Sequence, residues 1–271
     1  MKFYNKLIVS DLDGTFFDSE SSVVQINVDA INYFKENGGY FTYATGRNEL
    51  TLSPDVIKLV NAPIICCNGS YLYDPESNRR LREICIAPGP ILSIIKTVLV
   101  TFPDIAVRVT ADSKYYVVGE MTKYNQKRID ANPDLFVITD IDNLPTYDWH
   151  KVVFVGDADK LDLASKFIKV KAEGLYQIAR SSPNQLEMFN LRATKGSAAI
   201  EVKHMLEAKH GTICMYGIGD YENDIELLEL SDVSACPDNS LSEVKNYADT
   251  IVCSNDIGAV AGLIEYIESM I

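Results

Sequence analysis

Leu7-Ile8-Val9-Ser10-Asp11-Leu12-Asp13-Gly14-Thr15 is an apolar run that ends abruptly in two aspartates and a glycine. A short apolar run bounded by turn residues reads as a buried strand. Ligands of open α/β sheets bind beyond the carboxyl ends of the strands, so Asp11 stands where chemistry is expected. Gly14 lets the backbone turn sharply behind it. Two carboxylates two residues apart can divide labour: one attacks or binds metal, the other moves protons. The same nine residues also read as a plain strand followed by an aspartate turn. The rest of the chain decides between these readings.

Downstream, Asn27 is a good cap for a helix to about Asn37, with Ala30, Ile31 and Phe34 on its apolar face and Gly38-Gly39 as its stop. Tyr40–Ala44 reads as a second strand ending in Thr45-Gly46-Arg47, followed by a helix over 49–60. Pro63–Cys67 reads as a third, ending in Asn68-Gly69-Ser70. Strands alternating with helices predict a parallel sheet with right-handed crossovers, whose polar strand ends share one rim. From about Glu83 the texture changes. A helix is expected over 88–102, closely spaced strands at 105–110 and 114–118, and a helix over 122–131. Strands follow at 135–138 and 151–155, a helix at 161–171, then strands at 175–179 and 185–189. The close pair suggests a hairpin, hence an antiparallel α+β module. The α/β rhythm resumes near Ala193, with a helix opened by Thr194-Lys195-Gly196. An apolar strand at 212–218 then ends in Gly219-Asp220, and a helix over 223–230 follows. Short strands at 233–236 and 250–253 and a helix over 257–270 close the chain. The expected fold is α/β: a Rossmann-like parallel-sheet core of residues 1–82 and 184–271, carrying an inserted α+β cap of residues 83–183.

The chain has 271 residues, 47% hydrophobic and 23% charged, enough for a sizeable core. Its net charge of −13 argues against a nucleic-acid partner, and means that a phosphate substrate needs local cations. No apolar run approaches a membrane span. Met1-Lys2-Phe3-Tyr4 enters a strand directly rather than reading as a signal peptide. The six cysteines form no C-x-x-C pair and read as reduced core residues, so a cytoplasmic protein is expected. His150, His204 and His210 lack metal-ligand spacing and read as structural or surface residues, and Trp149 as packing.

Four fragments stand in order along this pattern: Asp11-x-Asp13-Gly14-Thr15, the strand-end Thr45, Lys195 in Thr194-Lys195-Gly196, and Gly219-Asp220-x-x-Asn223-Asp224. Read singly they are ordinary. Thr45 is a helix cap, Lys195 a solvated helix residue, Asp220 with Asp224 a helix N-terminal pair, Asn68 a strand end and Arg47 a surface arginine. Together they resemble the haloacid dehalogenase-like (HAD) hydrolase superfamily, in particular its Cof-type phosphatases with a C2-type cap inserted after the second motif. The resemblance spans the whole chain. It implies a phosphatase that works through an aspartyl phosphate, with Asp11 as nucleophile, Asp13 as general acid and base, and Lys195 as the fixed cation. It further implies phosphate binding by Leu12, Thr45, Gly46, Arg47, Asn68 and Asn223. Magnesium would be held by Asp11, Asp220 and the Asp13 carbonyl, with Asp224 orienting Lys195 or a metal-bound water. The chemistry agrees: phosphoryl transfer needs a nucleophile, an in-line leaving group and positive charge around the transferred oxygens. Where many relatives carry Pro and Gly before the lysine motif, this chain has Asn190-Leu191-Arg192.

The expected substrate is a small phosphorylated metabolite, a sugar phosphate first among them, with no nucleic acid, membrane or obligate protein partner. A sugar phosphomutase of the same superfamily would share these motifs. A non-enzymatic phosphometabolite sensor would be expected to have lost a catalytic carboxylate, whereas Asp11, Asp13 and Asp220 are all present.

Overall fold

The first strand, β1 (Lys6–Ser10), sends Leu7 and Val9 to one face and Ile8 to the other, and all three are fully buried. A strand buried on both faces must lie inside a covered sheet. The computed structural model describes residues 1–271 and bears this out. Helix α1 (Gln25–Glu36) follows, then β2 (Tyr40–Tyr43), parallel to β1. The helix starts before Asn27, whose side chain is buried and donates to the Phe16 carbonyl at 3.0 Å instead of capping. The helix expected over 49–60 is not continuous. Glu49–Thr51 forms one 3-10 turn, and Pro54, which lacks an amide hydrogen, opens the short α2 (Pro54–Ile57).

Strand β3 (Ile64–Cys66) departs from expectation. It forms no ladder with β2, and one isolated parallel bridge, Ala44 to Ile65, lies just past the end of β2. Its ladder is antiparallel, to β4 (Tyr71–Asp74), which in turn pairs with β5 (Arg79–Glu83). The sequence reading did not assign these two strands. The turn at Asn68-Gly69, where positive φ values of 56° and 91° reverse the chain, joins β3 to β4.

The inserted unit follows. It begins with α3 (Pro88–Thr101), whose Ile91, Ile94, Ile95 and Val98 are buried at helical spacing. Next come β6 (Ala106–Ala111), β7 (Lys114–Val118), α4 (Lys123–Ala131), β8 (Phe136–Ile138) and β9 (Trp149–Val155). Helix α5 (Ala158–Ala172), β10 (Tyr176–Ser182) and β11 (Gln185–Asn190) complete it. Its sheet runs β10-β11-β9-β6-β7-β8, antiparallel except at β7–β8. Helices α3 and α5 pack on one face, against Val107, Val109, Phe154, Leu186 and Met188. Trp149 joins this core, its Nε1 donating to the Pro145 carbonyl at 2.7 Å. The unit spans Ile84–Ala193, so its second boundary falls at 193 rather than at 183. The reason is pairing: β11 bonds to both β9 and β10 and cannot be parted from them.

The remaining chain returns to the first unit through α6 (Lys195–His210), β12 (Cys214–Ile218), α7 (Ile225–Leu230), β13 (Val233–Pro237), β14 (Thr250–Val252) and α8 (Ala259–Ser269). Its sheet is wholly parallel, in the order β14-β13-β12-β1-β2. Helices α1 and α8 cover one face with Ile31, Phe34, Leu263 and Ile267. Helices α6 and α7 cover the other with Ala198, Val202, Leu206 and Leu227. The strand order reverses between β1 and β12. One neighbour of β1 is its successor in the chain, the other returns after the insertion. Such a switch point opens a crevice beyond the strand ends.

Candidate active site

Asp11 follows β1 and Gly219-Asp220 follows β12, and the two strands are in register from Lys6–Cys214 to Ser10–Ile218. Two carboxylates are thereby brought to the mouth of the switch point, from positions over 200 residues apart. Both are buried. A third, Asp224, reaches the same place from the 3-10 turn Glu222–Asp224, and oxygens of Asp11, Asp220 and Asp224 lie within 4.8 Å of one another.

One ammonium faces these three carboxylates. Lys195 Nζ donates to Asp11 Oδ1 at 2.5 Å and to Asp224 Oδ1 at 2.6 Å, and its side chain is 1% exposed. It is the first residue of α6, fixed there by a reciprocal cap. The Ser197 amide donates to Thr194 Oγ1 at 3.0 Å, and the Thr194 amide to Ser197 Oγ at 3.2 Å. Thr194 Oγ1 also donates to Glu226 on α7 at 2.6 Å. Lys195 is thus no solvated helix residue. Burial disfavours its charge, but Asp11 and Asp224 outweigh burial and raise its pKa above the ordinary lysine range. Burial drives the Asp11 carboxyl well above the usual carboxylate range, and Lys195 offsets only part of it. Burial and the nearby Asp224 push Asp220 up to about 7, against the pull of Lys195 and Thr15.

The oxygens are unequally committed. Asp224 Oδ2 accepts from the amides of Asp220 and Tyr221, both at 3.1 Å, so both oxygens of Asp224 are engaged. Thr15 Oγ1 donates to Asp220 Oδ1 at 3.0 Å. Asp11 and Asp220 each keep an oxygen without such a partner. Three buried carboxylates against one ammonium leave a surplus of negative charge, and their ligand atoms are all hard oxygens. That donor set fits a divalent cation of the magnesium type, with Asp11 and Asp220 as ligands and Asp224 holding Lys195 and the loop. Gly14 is part of this packing. At φ 91°, its position would put a Cβ 2.4 Å from Asp220 Oδ2.

The other expected residues gather on the same rim. Thr45 is fully buried, and its Oγ1 accepts the Arg47 amide at 3.1 Å, leaving the hydroxyl hydrogen to donate. Gly46 is half-buried in the same turn. Leu12 is buried and its carbonyl accepts from the amides of Phe16 at 3.1 Å and Phe17 at 2.8 Å, closing the turn behind Asp11. Asn68 is fully buried, and Asn223 Nδ2 donates to its Oδ1 at 3.3 Å. Arg47 is held differently from a solitary phosphate ligand: its guanidinium clasps Asp13 through two bonds.

Three supporting residues carried no assignment from the sequence. Thr15 steadies Asp220, Glu226 braces the α6 cap, and Arg82 Nη1 donates to the Gly69 carbonyl at 2.5 Å. Thr15 stands inside the first motif, so a signal existed. Glu226 and Arg82 act through tertiary contacts that have no local pattern. His204 and His210 are exposed, and all six cysteines are free thiols.

Comparison with known proteins agrees with this geometry. A phosphatase of 5-amino-6-(5-phospho-D-ribitylamino)uracil from Bacillus subtilis is 23% identical over 264 residues, covering 96% of this chain and 95% of its own. A haloacid dehalogenase-like hydrolase of known structure from Bacteroides thetaiotaomicron superposes with a TM-score of 0.78 at 24% identity, covering 99% of this chain and 100% of its own. The sugar phosphatase BT4131 superposes with a TM-score of 0.80 at 15% identity, covering 98% of each chain. At these identities the two solved structures speak to the fold. The family is decided by the model for haloacid dehalogenase-like hydrolases, which matches residues 8–264, from the strand before Asp11 into the last helix. With that match across both units, the chain belongs to the haloacid dehalogenase-like hydrolases.

Proposed function

We propose that the protein is a magnesium-dependent phosphatase of small phosphorylated metabolites, sugar phosphates among them, acting through an aspartyl phosphate on Asp11. The observation that carries this reading is the buried cluster in which Lys195 bonds Asp11 and Asp224 beside Asp220. A carboxylate kept in a fixed pose by one oxygen, with the other uncommitted, is suited to in-line attack on phosphorus. The named activity of the curated relative from Bacillus subtilis, on a phosphoribityl compound, supports the substrate class.

In the first half-reaction an Asp11 oxygen attacks phosphorus, and the bond to the leaving oxygen breaks. Asp13 gives that oxygen a proton. In the second, Asp13 takes a proton from water, which attacks the phosphoryl group and releases Asp11 and inorganic phosphate. Lys195, the Thr45 hydroxyl and the amides of Leu12 and Gly46 hold the phosphoryl oxygens, with Asn223 and Asn68 at the edge. Asp11, Asp220 and the Asp13 carbonyl would hold a magnesium ion, which would supply positive charge against the transferred group. Arg47 must release Asp13 before that carboxyl can carry a proton, and the incoming phosphate offers Arg47 a second anion.

The test is a screen for inorganic phosphate release from sugar phosphates, nucleotides, pyridoxal phosphate and flavin mononucleotide, with the most active ester then followed by NMR. Net phosphate release is expected. Positional isomerisation that outruns release, or that needs a bisphosphate activator, would move the protein to the mutases.

A further inference from the structure

The sheet of the inserted unit has two unlike faces. Val107 and Val109 point to the apolar core under α3 and α5. The alternate residues Arg108 and Thr110 point the other way, and both are buried, Arg108 at 3% exposure and Thr110 at 0%. Register extends this second face across three strands. Arg108 lies opposite Val153, which lies opposite Glu187, and Thr110 lies opposite Lys151.

The charges on this face do not balance. Lys151 Nζ bonds both oxygens of Glu187 at 2.9 Å, and Ser181 Oγ donates to the same carboxylate, so that pair neutralises itself. The Arg108 guanidinium makes no ion pair: it lies 5.9 Å from the centre of the Tyr115 ring, and Glu187, already bound by Lys151, attracts it only in part. Nη1 donates to Asn125 Oδ1 at 3.1 Å and Nη2 to Gln185 Oε1 at 2.7 Å, both neutral acceptors. Of its five N–H groups, two are thereby used. Exposed Arg128, one turn along α4 from Asn125, adds further positive potential, and burial together with Arg128 lowers the Arg108 pKa to about 9 against the weaker pull of Tyr115 and Glu187. Two buried polar atoms nearby, Thr110 Oγ1 and Asn125 Nδ2, have no hydrogen-bond partner. The Asn125 amide cannot be turned round to cure this, because Arg108 requires its oxygen.

Buried unpaired charge and orphaned donors are costly, and sites that tolerate them are commonly sites that bind something. In a chain of net charge −13, an uncompensated guanidinium inside a sheet face is out of keeping with the rest of the surface. A planar fork of N–H groups matches the two oxygens of a carboxylate or phosphate. We infer that Arg108, with Thr110 and Asn125, forms an anion-binding site in the inserted unit that takes a carboxylate or phosphate group of a small metabolite. The anion completes the guanidinium, and the Asn125 amide and Thr110 hydroxyl donate to it. Lys123, Gln126 and Lys127, within two residues of Asn125 on α4, are exposed. The occupant is a separate small anionic metabolite held by the inserted unit itself, and the site does not rest on the function proposed above.

The test uses the full chain and succinate, a dicarboxylate with no phosphoryl group to engage Asp11. Calorimetric titration is expected to show succinate binding to the unmodified protein. Binding should weaken at least tenfold in Arg108→Met and less in Arg108→Lys. Thr110→Val, which keeps shape and loses the hydroxyl, guards against a folding defect and should weaken binding several-fold. No binding to the unmodified protein, or equal binding to Arg108→Met, overturns the proposal. Should no ester release phosphate, the phosphatase reading fails and the succinate titration still decides the site.

Discussion

Arg47 holds Asp13 at two points, Nε to Oδ2 at 2.9 Å and Nη2 to Oδ1 at 2.5 Å. A two-point guanidinium bond is geometrically specific. Asp13 has 49% of its side chain exposed, so this pair matters little for stability and much for the state in which Asp13 waits. If Arg47 exchanges Asp13 for the substrate phosphate, Arg47→Met raises KM about tenfold and lowers kcat less. Steady-state kinetics on the best ester check this, and an unchanged KM would restrict Arg47 to orienting Asp13.

Asp11→Asn removes the attacking oxygen while keeping the shape of the cluster. Turnover is expected to fall by about a thousandfold or more, as for other groups that act in the bond-making step. Stability should hold or rise, because the change relieves repulsion with Asp220 and Asp224 while Lys195 keeps its bond to Asp224. Phosphate release and a thermal midpoint measured on one preparation test both halves. A folded variant with near-normal activity would remove Asp11 from its role.

Chelation should abolish activity, magnesium restore it, and calcium fail to, since calcium accepts higher and looser coordination. A second readout does not depend on turnover. A cation bound only by the folded state at 100 times its Kd stabilises by about 2.7 kcal/mol. Magnesium is therefore expected to raise the thermal midpoint of the unmodified protein and not that of Asp220→Asn. An equal rise in both would place the ion elsewhere.

Gly69 presses on the helix that carries Lys195. At φ 91°, a Cβ there would lie 2.1 Å from the Thr194 carbonyl oxygen, at the very cap of α6. Gly69→Ala should cost about 2–4 kcal/mol through strain and backbone clash, and lower activity by displacing Lys195. Gly89, in the first turn of α3, has nothing within 4 Å of its would-be Cβ. Gly89→Ala should be neutral or stabilising by up to about 1 kcal/mol. Denaturant unfolding of the two variants side by side is the measurement.

The parallel core was legible from local pattern alone. An apolar run that stops at Asp11 or at Gly219-Asp220 declares both a buried strand and its polar end. The order of those runs brings Asp11, Lys195, Asp220 and Asp224 to one rim, whatever lies between. The chain from Glu49 to Glu83 was less legible. Pro54 cut a helical pattern short, and β3 spends its ladder on β4 rather than β2. Hydrophobic alternation marks a strand without naming its partner. The boundary near 193 was hidden for the same reason, since only pairing with β9 and β10 ties β11 to the inserted unit. Pair identities came from the tertiary structure alone. Arg47 on Asp13, Glu226 on Thr194 and the uncompensated Arg108 each join residues far apart in the chain. In sequence, Arg108 is one charged residue in the strand Ala106–Ala111. Whether its charge is met depends on which side chains β9, β11 and α4 bring beside it, and only the folded sheet determines that.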